Sequence, residues 1–70
     1  MLNDLQDGKM MIIKSEELDL TYHLRKINGK FWILKNGFVD LHTSDFEDIK
    51  EKLRCMMFVM GKKVNITMHD

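Results

Sequence analysis

Apolar and polar side chains alternate strictly from Leu18 to Lys26 (LDLTYHLRK), with Leu18, Leu20, Tyr22 and Leu24 at every second position. Successive side chains of a strand point to opposite faces, so this segment predicts a strand buried on one face only. Asn28-Gly29 follows shortly after, a pair suited to the two positive-φ positions of a type I′ hairpin turn. Lys30 to Lys35 (KFWILK) then returns as a strand whose four consecutive apolar residues predict a central place in a sheet. Upstream, Met10 to Lys14 reads as a short edge strand. Residues 1–9 read as a polar segment that frays, with Leu2 and Leu5 available to tuck against the domain.

A second Asn-Gly pair, Asn36-Gly37, leads into a strand over Phe38 to His42. A two-residue loop would set Leu34 against Val39 and Trp32 against Leu41, turning Val39 and Leu41 away from the face of Leu20, Tyr22 and Leu24. A three-residue loop, Lys35-Asn36-Gly37, closes as a type I turn with Gly in a G1 bulge and sets Ile33 against Val39 and Phe31 against Leu41. Leu18, Leu20, Tyr22, Leu24, Phe31, Ile33, Val39 and Leu41 then share one face. A one-residue slip would send Val39 and Leu41 to the other side, so the three-residue loop is expected.

Downstream the period changes. Ser44-x-x-Glu47 is a capping box, and Phe46, Ile49, Leu53, Met56, Met57 and Met60 recur at helical spacing as one apolar stripe. Acidic residues crowd the first turn, Lys50, Lys52 and Arg54 follow, and Gly61 suits the position just past the helix end. Asp48 and Lys52 are placed for an i,i+4 pair. A helix ending near Cys55, with CMMFVM as a strand, is the alternative; the helix to Met60 is preferred because Met favours helices over strands. Alternation of Val64, Ile66 and Met68 predicts a short terminal strand. The expected fold is α+β: a three-stranded antiparallel meander, one helix packed on one face, and a fourth short strand, in a single domain over residues 1–70.

Composition acts mainly by exclusion. The 11 basic and 11 acidic residues cancel, so no net field draws the chain to nucleic acid or an anionic membrane. The 1 Cys cannot form an intrachain disulfide, and no Cys/His cluster has zinc spacing. Without such staples, 70 residues make a small core that a second subunit would enlarge. No export signal or membrane span is read in the chain, which makes the cytoplasm the expected compartment. Abundant Lys, Met and Ile, with no Ala or Pro, match AT-rich codons and suggest a low-GC bacterium or its phage.

In the expected register the face away from the helix carries His23, Arg25, Trp32, Leu34, Phe38, Asp40 and His42. Trp32 would lie between Arg25 and Asp40, with Leu34 beside Phe38; Phe58 falls on the polar side of the helix, near Arg54 and Glu51. A large aromatic in the middle of a face that should meet water marks a partner surface. Three readings compete. Met10 to Ile13 could fold over Trp32; a homodimer or another protein could cover Arg25, Trp32, Leu34, Phe38, Asp40 and Phe58; or Trp32 and Phe38 could stack bases of a single-stranded nucleic acid while Arg25, Lys30 and Lys35 meet phosphates. Zero net charge and the interspersed Asp40 disfavour the last.

Signals for chemistry are weak. Asp40 and His42 share a face, but His23 is two strands away and no third or fourth metal ligand is at hand. Cys55 lies inside the helical segment, away from a helix N-terminus that would lower its pKa, and reads as a packed thiol. His69, close to the chain end, reads as mobile. No phosphate loop, nucleophile elbow or HExxH occurs, so neither an enzyme nor a cofactor is expected.

Taken whole, LDLTYHLRKINGKFWILKNGFVDLHTSDFEDIKEKLR resembles the small Bacillus prophage proteins of the Yopt type, which are unrelated to the Yersinia protease of similar name. The likeness rests on length, composition and element order. It implies a homodimer of subunits with three strands and one helix, and it transfers no catalytic or ligand-binding residue. The resulting expectation is a cytoplasmic, phage- or prophage-type interaction protein acting as a homodimer; the alternative is a regulator that binds single-stranded nucleic acid on its aromatic sheet face.

Overall fold

A computed structural model describes residues 5–61 and 63–69 of the chain. Five strands, β1 (Met10–Ser15), β2 (Thr21–Ile27), β3 (Lys30–Lys35), β4 (Phe38–Thr43) and β5 (Val64–His69), form one antiparallel sheet in the order β4-β3-β2-β1-β5. Helix α1 (Phe46–Met60) covers one face. The α+β architecture is as expected, but the meander has four strands rather than three and β5 completes the sheet. Met10–Ser15 is therefore no edge strand. It lies between β2 and β5, and its apolar run MMII is what such an interior position requires.

The two Asn-Gly turns are built alike. Asn28 and Gly29 have φ of 52° and 77°, and Asn36 and Gly37 have φ of 49° and 89°. Such values at both central residues belong to the two-residue turn that matches strand twist. The expected three-residue loop is thus corrected: Lys35 pairs with Phe38, and Leu34 with Val39. Asn36 helps to hold this turn. Its side-chain Oδ1 accepts a bond from the Thr21 amide at 2.9 Å, and its Nδ2 donates to the Asp19 carbonyl at 3.1 Å.

The extra residue appears further along. Between Ile33 and Leu34 the register shifts, so that Ile33 faces Leu41 and Asp40 is left over as a bulge. The bulge restores Leu41 to the helix side, as expected, while Val39 before it stays on the opposite face and is 60% exposed. Leu18 precedes β2 and is exposed instead of joining the core; Leu20 packs against the core from its margin.

The core lies between sheet and helix. Met11, Ile13, Tyr22, Leu24, Phe31 and Ile33 meet Ile49, Leu53, Met56 and Met60, and Leu5 closes one side. Leu2 lies outside the described residues. The helix runs to Met60 as expected, but Asp45 rather than Ser44 caps it: Asp45 Oδ1 accepts from the Glu47 amide at 2.9 Å. Thr43 supports the entry, accepting from the Asp45 amide at 3.0 Å and donating to Asp48 Oδ2 at 2.8 Å. At the other end Gly61, with φ of 77°, donates its amide to the Met57 carbonyl at 3.1 Å.

Candidate functional site

Side-chain alternation across five registered strands defines the face that the helix leaves open. One row across it reads His42, Trp32, Arg25, Met10, His69, and the next reads Val39, Leu34, His23, Ile12, Thr67. Thr21, Lys14 and Asn65 form a third, shorter row. At about 4.8 Å per strand, a row spans roughly 19 Å. Trp32 and His42 stack, with ring centroids 3.6 Å apart and 15° between planes. His42 is exposed and Trp32 half-buried, so the stack ends on an accessible ring toward the sheet edge.

All 3 histidines of the chain stand on this face, together with Arg25 and Lys14. The strands contain a single acidic residue, Asp40, and it points the other way. At the bulge its carboxylate turns to the helix side and pairs with Lys52 of α1. The pairing with Asp40 raises the Lys52 pKa against a smaller opposing effect of burial. Lys52 is thereby taken from the expected i,i+4 partner Asp48, which instead accepts from Thr43. Among the described residues, Glu16 brings a carboxylate to the margin of the open face, accepting from Asn65 Nδ2 at 3.0 Å at the end of the short row.

The residues singled out in the sequence therefore separate. Arg25, Trp32 and Leu34 are together on the open face. Phe38 is not beside Leu34; it faces Lys35 at the turn and is 80% exposed. Asp40 is corrected to the helix side, with Lys52. Phe58 stands on the outer surface of the helix, 90% exposed as expected, on the opposite side of the molecule from Trp32. Met10 to Ile13 does not fold over Trp32, because these residues continue the sheet beside β2. Cys55 is exposed rather than packed. His69 closes β5, its Nε2 lying 2.9 Å from Thr67 Oγ1, in place of the mobile end expected.

The signal that β5 supplies His69 and Thr67 to the face was present as the alternation of Val64, Ile66 and Met68. What the chain does not announce is that β5 docks against β1. Among the described residues no group of three or more His, Cys, Asp or Glu side chains could hold a metal ion, and no helix is long and apolar enough to cross a membrane. Neither protein-family models, nor curated proteins, nor solved structures give a match to the chain.

Proposed function

We propose that the chain binds single-stranded nucleic acid on the open sheet face, as a small regulator in the cytoplasm of a low-GC bacterium or its phage. The observation that carries this reading is the separation of charge. A net charge of zero hides a face on which an aromatic stack, a guanidinium, an ammonium and 3 imidazoles gather, while the sole strand carboxylate is held by Lys52 on the other side. The presence of Asp40 beside Trp32 was the local argument against nucleic acid, and the bulge removes it. An exposed, unpaired Cys55 suits a reducing compartment.

Chemically, a base continues the Trp32–His42 stack at the exposed His42 ring, since every base offers a π-face. Arg25, next to Trp32 in the same row, meets a phosphate, and Lys14 meets another further along the strand. Leu34, Ile12 and Val39 supply apolar contact between these points. Base stacking contributes about 1–3 kcal/mol per base and is tolerant of sequence, so the expected ligand is a single strand of loose sequence preference.

The test follows Trp32 emission while dT and rU oligomers are added at low salt, with a duplex of equal length as control. Saturable quenching by a single strand, weakening as salt rises, is expected. With a labelled oligomer read by anisotropy, Trp32→Ala should weaken binding by about 1–3 kcal/mol and Arg25→Ala should lower the salt dependence. No response to either single strand at low salt would refute the proposal.

A further inference from the structure

The two edges of the sheet are unequal. β4 carries the bulge and the charged Asp40, and both features discourage pairing with another strand. β5 has neither. All of its six residues pair with β1 without a register shift, and VNITMH contains no Lys, Arg, Asp, Glu, Pro or Gly. Every second residue of an edge strand turns its N–H and C=O outward, where nothing within the described residues pairs with them. Side chains add to this. Val64, Ile66 and Met68 lie on the helix side, opposite the buried Ser15, Ile13 and Met11 of β1, yet Ile66 is 37% and Met68 44% exposed. The helix buries the middle of the sheet and leaves the apolar row of β5 partly open.

We propose that β5 is a self-association edge: it pairs antiparallel with β5 of a second copy of this chain, joining two sheets into one. The occupant follows from the composition of the strand. In a two-fold pairing each side chain faces a side chain of the same strand, so a strand with Lys or Glu at its centre would repel its own copy. β5 has no such residue. Residues directly opposite share a face, which restricts the two-fold axis to positions that pair residues of equal parity. Centring it on Ile66 sets Ile66 against its copy and Val64 against Met68 twice, so all three apolar side chains gain partners. Centring it on Thr67 would leave Val64 without one. An axis perpendicular to the sheet puts both helices on one side and both open faces on the other. This inference does not depend on nucleic-acid binding, and it places the second copy away from Trp32.

Light scattering of the full chain at micromolar to hundred-micromolar concentration should give twice the single-chain mass of 8.3 kDa. Ile66→Lys, which sets two ammonium groups face to face, should halve the mass, whereas Val39→Lys on the other edge should leave it unchanged. A cross-linking arm guards against a variant that fails to fold. In a Cys55→Ser background, Ile66→Cys should form an interchain disulfide under mild oxidation, because directly paired strand residues lie within disulfide reach. Val39→Cys should not. A single-chain mass for the unaltered protein overturns the proposal. So does a dimer that survives Ile66→Lys, or cross-linking at Val39→Cys as fast as at Ile66→Cys. Oligonucleotide binding by Ile66→Lys tests the other reading separately.

Discussion

The two faces of the sheet are made from the same strands and obey opposite rules. On the helix side, Met11, Ile13, Leu24, Ile33, Ile49 and Met56 lose all or nearly all contact with water. Their value is packing, and the neighbours of each are determined by shape. On the open side, Trp32, Leu34, Ile12 and His23 are only half-buried, and each lies in a row of mixed chemistry. An apolar group there gains little from the fold itself. The difference teaches where stability and recognition reside: the covered face holds the molecule together, and the open face is free to carry charge and rings that a core could not accept.

The largest effect that would test this contrast comes from paired truncations in β3. Ile33→Ala removes a fully buried side chain between sheet and helix and should destabilise folding by about 2–5 kcal/mol, read as a fall in the urea midpoint. Trp32→Ala removes a larger side chain from the adjacent position, yet it should cost distinctly less than Ile33→Ala. A Trp32→Ala loss equal to or above that of Ile33→Ala would mean that the open face is structural, and the division between the faces would fail.

How much of this was legible in the chain depends on whether the signal was local. The strand of Tyr22 and Leu24, the Asn28-Gly29 turn and the helix to Met60 are written in short-range periods and turn residues and appear as read, although β2 begins at Thr21 rather than Leu18. The β4 register is different. The pattern demanded one extra residue somewhere between Ile33 and Leu41, and glycine chemistry suggested Gly37; the bulge at Asp40 meets the same demand while leaving a tight Asn36-Gly37 turn. Which site takes the insertion is decided by tertiary partners. Asn36 bonds to Thr21 and Asp19, and Lys52 on the helix receives Asp40. Phe38 and Asp40 were misplaced for this reason, and Arg25, Trp32 and Leu34, which depend only on β2 and β3, were not. The membership of β5 in the open face was likewise hidden, because pairing between residues 49 to 59 positions apart leaves no local trace.

A smaller effect should come from the bulge. Asp40 and Lys52 are both partly shielded from water, and their ion pair ties β4 to the helix. Asp40→Asn should destabilise folding by no more than about 1 kcal/mol, the upper range for pairs that solvent can still reach. Its sharper consequence concerns the comparison of faces. If the carboxylate truly belongs to the helix side, Asp40→Asn should leave oligonucleotide binding nearly unchanged. An appreciable gain in affinity would show that its charge is felt at Trp32.

The smallest effect lies at the first hairpin, where Asp7 receives the Gly29 amide on Oδ1 at 3.0 Å. Backbone hydrogen bonds from Gly29 and Asn28 hold the carboxyl below its ordinary pKa, with Lys26 nearby acting in the same direction. A lowered value in the folded state means that the carboxylate form is favoured by folding. Its contribution is therefore complete above the unfolded carboxylate range, near pH 4, and is lost as pH falls through the lowered value. Comparison of urea midpoints for the unaltered chain and Asp7→Asn should show a small, constant difference at neutral pH that shrinks only in acid. Asp7 is fully exposed, so the difference should also diminish with salt. A difference that grew as the pH fell would reverse the sign and remove Asp7 as the clamp of the Asn28-Gly29 turn.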